Sequence, residues 1–234
     1  GPYPSVDGLT PPPRARVILP GVRADPVIYC ADIGSVANES FAWESIPNVA
    51  RAKNKTGAKG IRTLCQSIAD DLTAKKVVAL GFEAPLFVPI AAEPEYLGRA
   101  RDGEESRSWS GPSGSAVLAT SLPQTVWILG AIREMIPESL RTFEISLNWE
   151  SWDELYRPGP SMFLWEAFVS EKAKGVAGHE NAHIADVHTA CKAFLKRMES
   201  KDPQKTDWNG VNCSVKNGPT REAFSLIGAA IIRA

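Results

Sequence analysis

Val27-Ile28-Tyr29-Cys30-Ala31-Asp32-Ile33-Gly34-Ser35 decides how the chain is read. Five apolar, β-favouring residues run without interruption and then stop at an aspartate and a glycine. A short run of this kind, bounded by turn residues, is the pattern of a buried strand. Ser40-Phe41-Ala42-Trp43-Glu44 alternates and predicts a second strand, close enough to pair antiparallel with the first.

Working outward, Ile61, Leu64, Ile68 and Leu72 recur at helical spacing and predict an amphipathic helix over 61–74. Val77-Val78-Ala79-Leu80-Gly81-Phe82 predicts another buried strand, ending at Glu83-Ala84-Pro85. The following segment, with Arg99, Arg101, Glu104, Glu105, Arg107 and Trp109, is rich in glycine and serine and reads as a loop or lid. Residues 114–136 are helix-compatible up to Pro137. Strands are expected over 143–147 and over 162–169, and a helix over 179–198 with Ile184, Val187, Cys191, Phe194, Leu195 and Met198 as its buried stripe. Residues 202–219 are polar and turn-rich, and 220–233 read as an apolar helix. The alternation of strands and helices predicts a mixed α/β fold. Residues 1–25 hold five prolines beyond the opening Gly-Pro and form a proline-rich leader or tag remnant. A single domain is expected over 26–234.

The 234 residues carry 26 basic and 27 acidic side chains, for a net charge of −1. Such balance argues against coating of nucleic acid by bulk attraction. It leaves room for an acidic site beside a local basic rim. Arg51, Lys53, Lys55, Lys59 and Arg62 gather without an intervening acid, so 51–62 reads as a basic loop, either solvated or in contact with phosphate. No stretch reaches the ~20 apolar residues expected of a membrane helix. The four cysteines, Cys30, Cys65, Cys191 and Cys213, are far apart and form no CxxC pair, which predicts reduced thiols and a cytoplasmic setting.

Three acids stand where regular elements end or pack. Asp32 closes the first strand, Glu83 closes a later one, and Asp186 lies on the late helix. In α/β sheets the strand ends are where sites are built. Carboxylates gathered there repel unless they hold hard divalent cations, which prefer oxygen ligands. Separations of roughly 3–6 Å would suit such ions. Each acid has a plainer reading: a turn residue for Asp32, a structural salt bridge for Glu83, a solvated helix charge for Asp186. Glu166 reads either as a fourth ligand or as a cross-strand pair.

The run from Tyr29 to Ser35 with Phe41-Ala42-Trp43 resembles the opening hairpin of the ribonuclease H-like superfamily. Gly81-Phe82-Glu83-Ala84-Pro85 resembles that fold's fourth strand, and His183-Ile184-Ala185-Asp186-Val187 its late acidic helix. More narrowly, the chain is similar to a DUF429-like group of predicted nucleases. The resemblance spans about residues 26–200. It implies a ribonuclease H-like mixed sheet flanked by helices, with Asp32, Glu83 and Asp186 as catalytic ligands of Mg²⁺ or Mn²⁺ in a nuclease acting on DNA or RNA. His183 shares a helix face with Asp186 and is a candidate acid or water-orienting residue. Arg99, Arg101, Lys53, Lys55 and Lys59 are candidate phosphate contacts, and Trp109 a base-stacking platform or a loop anchor.

A competing motif overlaps. His179-Glu180-Asn181-Ala182-His183 matches HExxH, the pattern of a Zn²⁺ peptidase. No third ligand follows at the extended spacing. A non-catalytic module of the same fold, binding without cleavage, is the other alternative. An actin-like ATPase, hinted at by Asp32-Ile33-Gly34, would need a longer chain, and neither a P-loop nor a GxSxG run occurs.

Overall fold

The computed structural model describes residues 26–38, 40–46, 57–104, 108–141, 144–146, 160–169, 182–198 and 216–225. In chain order the elements are β1 (Val27–Asp32), β2 (Ala42–Ile46), α1 (Gly57–Thr73), β3 (Val77–Phe82), β4 (Phe87–Ala91), α2 (Pro112–Met135), β5 (Glu144–Ser146), β6 (Ser161–Glu166), α3 (Ala182–Met198) and β7 (Thr220–Ser225). Short 3-10 turns occupy Pro94–Tyr96 and Glu138–Leu140. Five strands form one mixed sheet in the order β2-β1-β3-β6-β5. β2 runs antiparallel to β1, and the other neighbours pair parallel. The expected mixed α/β architecture with flanking helices is present.

Side-chain parity organises the packing, because successive residues of a strand face opposite sides of the sheet. On one side Val27, Tyr29 and Ala31 of β1 and Val78, Leu80 and Phe82 of β3 pack with Ile61, Leu64, Ile68 and Leu72 of α1 and with Ile128 and Ile132 of α2. On the other, Ile28, Cys30, Ala79 and Phe163 pack with Val187, Ala190, Cys191 and Phe194 of α3. Each fully buried Leu or Ile of these clusters contributes about 1.5–3 kcal/mol relative to exposure. Both faces are covered, which is why β1 and β3 read as continuous apolar runs rather than as alternating ones.

Several expectations are corrected. α1 begins at Gly57, so Lys59 and Arg62 of the supposed basic loop lie on a helix. Lys53 and Lys55 lie outside the described residues. The expected loop after Pro85 contains β4, which pairs antiparallel with β7. β7 replaces the first part of the helix expected over 220–233. The apolar composition there favours a helix, but Thr220 to Ser225 find a strand partner in β4, and pairing overrides propensity. α2 is long and apolar enough to cross a membrane by length and composition, contrary to the expectation that no stretch would be. Here Thr125, Ile128 and Ile132 are buried in its interior-facing stripe, and it packs against α1.

Candidate functional site: a carboxylate cluster at the sheet edge

Parity also assembles the site. Asp32 follows Ile28 and Cys30 on the α3 side of β1. On β3 the residues of the α3 side are Ala79 and Gly81, and Glu83 is next in that series. β1 and β3 are parallel with Ala31 opposite Phe82, and the Glu83 N–H donates to the Ala31 carbonyl at 2.8 Å. The two acids therefore leave the sheet at the same edge and on the same face. α3 crosses that face, and Asp186, 4% exposed, lies in its buried stripe beside Ala185 and Val187. One carboxylate oxygen from each of Asp32, Glu83 and Asp186 lies within 4.8 Å of the others. That spread falls inside the roughly 3–6 Å that would suit divalent ions.

Three carboxylates this close, one of them buried, repel one another in the absence of a compensating positive charge. Their donor set is all oxygen, hard and anionic, and so fits a divalent cation such as Mg²⁺ or Mn²⁺ better than a soft one. His183 adds a nitrogen beside the cluster: its Nδ1 lies 2.5 Å from Asp32 Oδ2, with the imidazole 46% exposed. His183 stands in the first turn of α3. His179 and Glu180 of the HExxH run lie outside the described residues, so the pattern as a whole has no described geometry.

A cleft of about 480 Å³ opens beside the cluster. Asp32 and Glu83 line it, together with Trp109 and Gly111 to Gly114 at the start of α2. The Ser108–Ser110 turn packs tightly on that helix start: a Cβ on Gly114 would stand only 2.0 Å from the Ser108 carbonyl oxygen. Glycine is thus required for the approach that brings Trp109 to the cleft. Trp109 is both anchored and available. Its indole N–H donates to the Arg99 carbonyl at 3.0 Å and its backbone N–H to Glu104 Oε1 at 3.0 Å, while the residue lines the cleft.

The basic residues fare differently from their expected role. Arg101 is 1% exposed, and its guanidinium is held by Glu104 and Glu166 rather than offered to phosphate. Local spacing reads it as a loop or lid residue open to phosphate, because its partners are three and 65 positions away and the second is invisible at that range. Arg99 is exposed and lies over the Tyr96 ring, 4.6 Å from its centroid. Lys59 is exposed on the first turns of α1 and is not part of the cleft wall. Glu166 stands opposite Phe82 in the β3–β6 register, on the face away from Glu83. Its carboxylate meets Arg101 and the Leu86 N–H, both outside the strands, so it is a partner of the loops rather than a cross-strand pair or a fourth member of the cluster. Ser108, Gly111 and Ser113 of the cleft wall and the buried Glu104 carry no assigned role in the sequence pattern, whose only local signal is a segment rich in glycine and serine. Searches against protein-family models, curated proteins and solved structures return no match for this chain.

Proposed function

We propose that the protein is a divalent-metal-dependent phosphodiesterase of the ribonuclease H-like kind, acting on DNA or RNA. The observation that carries the reading is the convergence of Asp32, Glu83 and Asp186 to within 4.8 Å at one sheet edge. The chain order of the three acids, two on neighbouring parallel strands and one on a late helix, matches the resemblance. Glu83 ends the third strand among the described residues, where the resemblance counts a fourth.

Asp32, Glu83 and Asp186 would hold Mg²⁺ or Mn²⁺, which supplies positive charge and Lewis acidity to a phosphodiester. His183, hydrogen-bonded to Asp32 and half exposed, is the group available to move a proton at the cluster. Trp109 offers an aromatic face to a nucleobase, and the first turn of α2 offers a helix N-terminus, which favours anions such as phosphate.

The test is cleavage of labelled single-stranded DNA and RNA with Mg²⁺ and with Mn²⁺, alongside calorimetric titration of each ion. Cleavage abolished in Asp32→Asn supports the reading. Ion binding without cleavage of either polymer would instead favour the non-catalytic module. Stoichiometric zinc in protein purified without chelator, lost in His183→Ala, would favour the peptidase.

A further inference from the structure

Beside the carboxylate cluster the sheet edge holds a second, separate charged group. Arg101 Nη1 and Nη2 donate to Glu166 Oε2 and Oε1 at 2.7 and 2.6 Å, a two-pronged pairing. Arg101 Nε donates to Glu104 Oε1 at 2.9 Å, and Nη2 lies 2.8 Å from the same oxygen. Side-chain exposure is 1% for Arg101, 1% for Glu104 and 4% for Glu166. Two carboxylates share one guanidinium, and the group is buried. Burial of such a triad brings a desolvation cost that the mutual attraction barely offsets, and well-packed apolar residues are often as stable or more so. Its value is therefore better sought in geometry than in stability.

The geometry is specific. Glu166 Oε2 accepts the Leu86 N–H at 2.9 Å, and Arg101 Nη1 donates to the Phe87 carbonyl at 3.1 Å. Glu104 Oε2 accepts the Arg101 N–H at 2.7 Å, and its Oε1 accepts the Trp109 N–H at 3.0 Å. The three side chains thus tie together the segment just after Glu83, the end of β6 and the turn that carries Trp109. These are the walls of the cleft, and all three residues of the triad line it as well.

We propose that Arg101, Glu104 and Glu166 are positioning residues that hold Glu83 and Trp109 at fixed places across the cleft. The part of this concerning Glu83 rests on the metal-dependent reading above. The planar guanidinium is required because it engages both carboxylates and a carbonyl at once, which a lysine ammonium on a flexible stem does not reproduce.

The experiment compares Arg101→Lys and Glu104→Gln with the wild-type protein by amide hydrogen exchange and by Mn²⁺ calorimetry. Ile132→Val, a core change far from the cleft, serves as a stability control. Exchange at the Leu86 and Trp109 amides is expected to rise by about tenfold or more as the local bonds open. Mn²⁺ affinity is expected to fall by about tenfold, the low end of the range for a partner that touches a ligand, because the triad acts on Glu83 through the backbone at Leu86. Ile132→Val is expected to lower the melting temperature and leave Mn²⁺ affinity unchanged. A folded Arg101→Lys or Glu104→Gln protein with wild-type exchange at both amides would overturn the clamp. Faster exchange with wild-type Mn²⁺ affinity would overturn its role in positioning Glu83. If the wild-type protein binds no Mn²⁺, the metal reading fails and the Glu83 role with it, while exchange at Trp109 still decides the clamp itself.

Discussion

His183 Nδ1 reaches Asp32 Oδ2 at 2.5 Å across 151 positions of sequence, from the first turn of α3 to the last residue of β1. The contact makes the imidazole an outer partner of the carboxylate cluster. Partners of this kind orient the ligand they touch, and their loss typically weakens metal binding or activity by about 10–100-fold. His183→Ala is expected to show a loss in that range, and Asp32→Asn a larger one. Mn²⁺ calorimetry on both variants checks the ranking. Wild-type affinity in His183→Ala would reduce the histidine to a surface residue.

The sequence was most readable where the physics is local. β3 runs over the expected 77–82, and α1 and α2 fall within a few residues of their expected bounds, because apolar periodicity and proline punctuation act over one or two turns. Acids following two apolar strands leave convergence at one sheet edge open beside a turn residue and a salt bridge, and the carboxylates do meet there. What stayed hidden was non-local. β4 carries Pro89 and lacks a clean alternation, and only its pairing with β7 makes it a strand. Arg101 reads locally as a phosphate contact because its partner Glu166 belongs to a distant strand. The parity of β6 held one unused clue: Glu166 follows Met162 and Leu164, which face α1 and α2, so it was never on the α3 face that carries Glu83.

Gly81 sits on that α3 face, two residues before Glu83, with Trp165 laid across the space a side chain would fill. A Cβ there would stand 2.3 Å from Trp165 Cε2 and 2.4 Å from Cζ2. The indole has little room to retreat, since it packs on Phe194 with ring centroids 4.7 Å apart. Gly81→Ala is therefore expected to destabilise the fold by about 1–3 kcal/mol through overpacking. Trp165→Leu should relieve part of that penalty, so the double variant is less destabilised than the sum of the single ones. Urea unfolding of the four proteins measures it. A Gly81→Ala protein as stable as wild type would contradict the close packing.

On the same side of the sheet Glu44, 3% exposed, receives His188 Nδ1 at 3.0 and 3.1 Å from its two oxygens. The pair joins β2 to α3, whose placement sets Asp186. His188→Ala would leave a buried carboxylate without this donor. Removing one partner of a buried hydrogen bond costs about 1–3 kcal/mol, and with His188 19% exposed a loss of about 1–2 kcal/mol is expected. Glu44→Gln in the His188→Ala background should recover some stability by removing the charge. Equal stability of the wild-type and His188→Ala proteins would show that the pair contributes nothing.

Three buried acids give the fold a shared response to alkali. Burial pushes the Cys65 thiol up to about 11 from its ordinary 9.0. Burial likewise raises the Cys30 thiol, with the neighbouring Cys191 as a second cause. The Tyr29 hydroxyl is raised by burial and by its 2.6 Å hydrogen bond to Asp71 Oδ2. In each case the folded state keeps its proton to a higher pH than the unfolded chain does. Below pH 9 the thiols are protonated in both states, and their contribution is fully present. Above it the unfolded chain releases thiol protons first, so it binds fewer protons than the native state and stability falls as pH rises. For Cys65 the fall continues until the folded thiol itself titrates near pH 11. One such group steepens the slope by up to about 1.4 kcal/mol per pH unit. Urea midpoints between pH 8 and 11 are therefore expected to decline, less steeply in Cys65→Ala from pH 9 upward and less steeply in Tyr29→Phe from pH 10 upward. Identical slopes in all three proteins would place the alkaline sensitivity in other groups whose protonation differs between the folded and unfolded chain.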